Sequence, residues 1–148
     1  MIVDAQLNIN GSRPAVWAAI SDIENAAKII SGILSVEIVN KPADGLVGLR
    51  WRETRMMFGQ PATVEKWITE AVENESYKTR AESDGYIFLT TNRISDTAGG
   101  VILASAHESL PQSLKAKLSM PMMLLFRGVI KKAILQDLND IKSAIEHA

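Results

Sequence analysis

The chain contains no cysteine. Disulfides, thiol nucleophiles and cysteine-bound metals are therefore excluded, and the composition fits a cytoplasmic protein. Charge of one sign is also missing. Sixteen basic and seventeen acidic residues leave a formal charge of −1, so no general attraction to nucleic acid or to an anionic membrane is expected. No apolar run is long enough to span a bilayer. The most apolar stretch, Met120 to Ile130, is too short and carries Arg127, so stable membrane insertion is not expected. The start, Met-Ile-Val-Asp-Ala-Gln, lacks the basic and apolar regions of a signal peptide. With only two histidines, His107 and His147, and no HExxH-like spacing, neither a metal site nor a metal cofactor is expected. No glycine-rich loop follows a strand in a phosphate-binding pattern, which leaves nucleotide binding and other cofactors without support.

What is present is a chain of 148 residues, 47% of them hydrophobic, enough for one domain with one core over residues 1–148. Ile2–Ile9 alternates as a strand with Val3, Ala5, Leu7 and Ile9 on one side. Ser12 then caps a short helix with Pro14 in its first turn, and Ser21 or Asp22 caps a second that Gly32 ends. Six more strand-like segments follow, at Val36–Val39, Val47–Met57, Ala62–Glu70, Ser76–Glu82, Tyr86–Ile94 and Val101–Leu110. Their short connections predict an antiparallel meander. From about Leu118 the period lengthens. Met122, Phe126, Val129, Ile130, Ala133, Ile134, Leu138, Ile141 and Ile145 form one stripe of a long C-terminal helix. A lone helix cannot bury such a stripe, and a curved sheet offers the surface that covers it. The expected class is α+β, with about seven strands wrapped around a long C-terminal helix.

The stretches Leu7-Asn8-Ile9-Asn10-Gly11-Ser12-Arg13-Pro14-Ala15-Val16-Trp17, Ile20-Ser21-Asp22-Ile23-Glu24-Asn25 and Gly48-Leu49-Arg50-Trp51-Arg52-Glu53-Thr54-Arg55-Met56-Met57-Phe58-Gly59 carry a resemblance. They resemble the START and birch-pollen-allergen-like helix-grip superfamily, nearest its bacterial polyketide cyclase/dehydrase-like (SRPBCC) branch. The resemblance implies a helix-grip fold with a cavity between the sheet and the long helix. It brings no universal catalytic residue, and such folds host many unrelated functions.

Strand parity alone does not say which face is inward. Pairing large apolar residues with the C-terminal helix sets Trp51, Trp67 and Phe88 inward, which carries Glu53, Arg55, Glu65 and Tyr86 with them. Arg55 could then bridge two carboxylates or anchor a ligand oxygen. The alternatives are a structural ion network, or the opposite face inward. Tyr77 and Tyr86 are candidates to orient a ligand carbonyl, or half-buried sheet residues with wet hydroxyls. His107 is a candidate proton shuttle or a plain rim histidine. Met122 and Phe126 are candidates for a pocket mouth, whereas Leu124 and Leu125 could form a self-association patch or a rim that touches a membrane transiently. The favoured reading is a monomer or homodimer that binds or transports a small hydrophobic or amphipathic ligand: a lipid, isoprenoid or polyketide-like molecule. A cyclase or dehydratase using cavity carboxylates, and a partner-binding protein with a collapsed cavity, are the alternatives. No catalytic residue is assigned.

Overall fold

Seven antiparallel strands form one sheet in the order β1-β7-β6-β5-β4-β3-β2 in a computed structural model that describes all 148 residues. The strands are β1 (Ile2–Ile9), β2 (Ile33–Asn40), β3 (Arg50–Met57), β4 (Gln60–Val72), β5 (Ser76–Ser83), β6 (Tyr86–Thr97) and β7 (Gly100–Pro111). Breaks in register at Ile33/Ser35 and Ile38/Asn40 of β2 and at Ile68/Glu70 of β4 add the bend that such irregularities give a strand.

The chain leaves β1 through α1 (Arg13–Ser21), where the Ser12 hydroxyl accepts from the Ala15 amide and Pro14 occupies the first turn. The second helix is shorter than its spacing predicts. It is a 3₁₀ turn, Ile23–Asn25, followed by a single α-turn, α2 (Ala26–Ile29), without a side-chain cap and finished at Ile30 rather than at Gly32. Two other boundaries also shift. β3 begins at Arg50 because Gly45 and Gly48 take φ of 67° and 93°, which breaks the extended backbone. The segment Ser95–Gly100, expected as a loop, is mostly strand, with Thr97 paired to Gly100 across a two-residue turn.

The C-terminal segment is two helices, α3 (Leu114–Leu125) and α4 (Arg127–Glu146), rather than one beginning near Leu118. At Phe126 the backbone leaves helical geometry (φ −93°, ψ 7°). Pro121 lies inside α3. It and Lys117, whose carbonyl loses its partner, are both exposed, so water can satisfy that carbonyl.

α4 lies in the concave side of the sheet against β1 and β7 and touches α1 and α2. Its Ile134, Leu138 and Ile141 meet Val3, Ile9, Val16, Ile20, Trp51, Ile68 and Leu103 in one core. Polar ties hold its far end. The Asn10 amide donates to Glu146, Lys142 donates to the Asn8 carbonyl, and Asp140 accepts from the Ser31 amide and hydroxyl. No helix is long and apolar enough to cross a membrane.

Candidate functional site

Between the sheet floor, the α1–α2 segment and α4 lies a partly open cavity of about 110 Å³. It is two-sided. Ile20, Ile23, Ile30, Ile134, Leu138 and Ile141 form its apolar wall, while Glu53, Arg55, Lys66, Thr90, Asn92 and His107 are among the polar groups of its floor.

Register explains the floor. Trp51 pairs with Lys66 and Glu53 with Val64, so Trp51, Glu53, Arg55 and Lys66 project to one face. Ile68, two residues from Lys66, is buried on that face. Glu65 and Trp67 take the opposite, outer face, contrary to the parity chosen from their size. There Arg50 donates to Glu65 at 2.8 Å and lies 4.1 Å from the Trp67 ring centroid. A large apolar residue on a strand need not face the core when a guanidinium covers it.

Glu53 is the hub, with its side chain only 8% exposed. It accepts from Arg55 Nε at 2.7 Å, from Lys66 Nζ at 3.0 Å and, more weakly, from Trp51 Nε1 at 3.4 Å. Burial works to raise its pKa, but the charges of Lys66 and Arg55 and their hydrogen bonds outweigh it and lower the carboxyl to about 2. The other edge of the Arg55 guanidinium meets Asp137 of α4 at 2.5 and 3.3 Å. Burial pushes the Asp137 carboxyl up while Arg55 pulls it down. The two carboxylates and two cations cancel, and no buried side-chain polar atom lacks a partner. Room for the pair comes from Gly32, where an added Cβ would come within 3.3 Å of the guanidinium.

His107 reaches the cavity from β7, with Nε2 3.1 Å from the Ser105 hydroxyl. Burial, with the positive charges of Lys66 and Arg55, lowers its pKa to about 4, so the ring is neutral at pH 7. Tyr77 also lines the cavity, but its hydroxyl donates to the Ile20 carbonyl at 2.9 Å. Burial and the Glu53 charge push that phenol above its ordinary range.

Five of the residues proposed from sequence thus converge: Trp51, Glu53, Arg55, Tyr77 and His107. Six do not line this cavity. Glu65 and Trp67 are outside the sheet. Tyr86 and Phe88 stack 5.6 Å apart under α3, where the Tyr86 hydroxyl donates to the Ala116 carbonyl and contacts Ser119. Met122 is 65% exposed, and Phe126 packs edge-on against Phe58. Lys66 and Asp137 were missed. Asp137 had a legible signal, since it sits three residues after Ile134 and four before Ile141, in the middle of α4's buried stripe.

No protein-family model matches the sequence, and no curated protein matches it. Solved structures do match the fold. TTHA0849 of Thermus thermophilus superposes with a TM-score of 0.81 at 12% identity, over 99% of this chain and 98% of that one. The Zhui aromatase/cyclase of Streptomyces sp. R1128 gives 0.77 at 14% identity, over 99% and 94%. Ara h 8.0201 gives 0.68 at 14% identity, over 100% and 99%. At such identities the likeness is one of architecture.

Proposed function

We propose that this chain, which has the helix-grip fold of the START and birch-pollen-allergen-like superfamily, binds a small amphipathic molecule between its sheet and α4. The carrying observation is the two-sided cavity, apolar along the helices and hydrogen-bonding along the strands. A ligand's apolar body would lie against Ile23, Ile30 and Leu138. A carbonyl or carboxylate oxygen would meet Lys66, whose ammonium has three donors and spends one on Glu53. His107 and Asn92 would complete its polar contacts. Arg55 is committed to Glu53 and Asp137, so it holds the floor rather than gripping the ligand.

Size narrows the class. Pockets for drug-sized ligands run to roughly 300–1,000 Å³, well above the present 110 Å³. A larger guest would be admitted by an outward movement of Ile23–Ile30. That segment is one 3₁₀ turn and one α-turn, and none of α2's side chains is buried.

A cyclase or dehydratase reading rests on one observation: Glu53 and Asp137 have their acidities pushed in opposite directions across a shared arginine. Both carboxylates are engaged by cations, which favours anchoring over proton transfer.

Trp51 in the floor makes binding measurable. Titration with the amphipathic anion 1-anilinonaphthalene-8-sulfonate should quench tryptophan emission, and Lys66→Met should weaken that titration about tenfold. Native mass spectrometry of the protein from its own host should show a bound small molecule. A clean apo mass, with titrations identical in wild type and Lys66→Met, would sink the binding proposal.

A further inference from the structure

A second surface, outside the cavity, points elsewhere. On α3, Leu114, Leu118, Met122 and Leu125 fall at four-, four- and three-residue spacings on one helical face. That face points away from the protein, with exposures of 74, 73, 65 and 83%. Only Ala116 of α3 is buried. An outward apolar ridge of this length is not an ordinary helix surface.

The β3–β4 hairpin tip joins it. Phe58 is 69% exposed, and its ring meets Phe126 edge-on at 5.3 Å, so two distant segments form one continuous patch. The turn is unusual. Phe58 and Gly59 both have positive φ, 53° and 77°, the arrangement of a tight hairpin that favours Asn-Gly or Asp-Gly. The β5–β6 turn uses Asp84-Gly85 with nearly the same angles. Placing phenylalanine in a left-handed conformation costs backbone energy, and here it puts an aromatic in solvent beside Met56 and Met57, which are also exposed.

Charge identifies the partner. Between Glu108 and Asp137 the chain carries five cations, Lys115, Lys117, Arg127, Lys131 and Lys132, and no acid, although the whole protein is nearly neutral. Lys115 and Lys117 flank the apolar ridge, each about a quarter-turn or less from its edge. A second copy docked across a two-fold axis would bring these cations against one another. An apolar ridge between lysines instead matches an anionic lipid surface, with the leucines in the acyl boundary and the lysines at the headgroups.

We propose that the outer face of α3 and the Phe58 hairpin tip dock this protein peripherally on an anionic lipid bilayer. Docking does not require the ligand reading given above, although Arg55 at the cavity is only two residues from Met57 along β3.

Flotation of the full chain with vesicles tests this. The protein should float with vesicles of equimolar phosphatidylcholine and phosphatidylserine, stay behind with pure phosphatidylcholine, and be released by high salt. Leu118→Asp with Leu125→Asp should abolish flotation. Lys115→Glu with Lys117→Glu should weaken it about tenfold or more, from roughly 1 kcal/mol per charge at the surface. All four side chains are exposed, and an unchanged thermal melt will show that each variant is folded. Failure of the wild type to float with the mixed vesicles would overturn the proposal, as would flotation unaffected by the leucine substitutions. A wild-type dimer in sedimentation, abolished by those same leucine substitutions, would assign the face to a second copy and overturn it as well.

Discussion

α3 and α4 are separated by one residue and treat solvent in opposite ways. α3 is rich in leucine and methionine, yet buries only Ala116. α4 is more polar in composition, yet buries Ile134, Leu138 and Ile141. Apolar content therefore does not decide burial here; the surface each helix meets does. α4 runs along the concave face, where its stripe has a partner. α3 lies over the rim, with the Tyr86 hydroxyl bonded to its Ala116 carbonyl.

The contrast can be broken in order of expected effect. Leu138→Ala, at a 2% exposed position, should cost about 4 kcal/mol of unfolding free energy in urea melts. Asp137→Ala removes one carboxylate from Arg55 and should cost about 3 kcal/mol, because a mostly buried guanidinium loses one of its two partners and keeps only Glu53. Asp137→Asn, which keeps the volume and an acceptor, should cost less, and equal losses would show that charge rather than packing matters there.

Acid comes next. His107 has a folded pKa of about 4, below its ordinary 6.5, so the unfolded chain binds its proton more tightly. Its contribution is complete above pH 6.5 and is lost as pH falls toward 4. The loss should be about 2 kcal/mol, allowing for partial exposure. His107→Gln should flatten that slope. Glu53, lowered to about 2 from 4.5, also stabilises above its unfolded value and loses that contribution between pH 4.5 and 2. Asp137, whose pKa burial raises, offsets part of this loss as it protonates.

Gly32→Ala, crowding the guanidinium at 3.3 Å, should cost about 1 kcal/mol. Smallest of all, Leu118→Ala on α3 should stay within about 0.5 kcal/mol of wild type. A loss there comparable to that of Leu138→Ala would mean that α3 packs on something.

The fold was largely legible. Alternation marked all seven strands, and Ser12 with Pro14 marked α1, because these signals are local. The strand ends that failed, such as Arg50 and Thr97, depend on glycine angles and pairing partners. In the site, Trp51, Glu53 and Arg55 share a strand, so placing one placed all three. Glu65 and Trp67 were misplaced because β4 alternates apolar residues on both faces, and only pairing with β3 decides which is inward. Asp137 was hidden by distance, since its partner Arg55 is 82 residues away.

The order of strands also sets a clock. β1 and β2 are the two edges of the sheet although they are neighbours in the chain, and β1 pairs only with β7. Met1 finds its acceptor, the Ser109 carbonyl, 108 residues downstream. On a ribosome that partner follows by about 5–20 s. Throughout that interval β1 is an unpaired strand, and the α4 that will cover its inner face is made later still. Closing so long a loop late places this protein among the slower small folders, with its first strand the segment most in need of protection from stray pairing during synthesis.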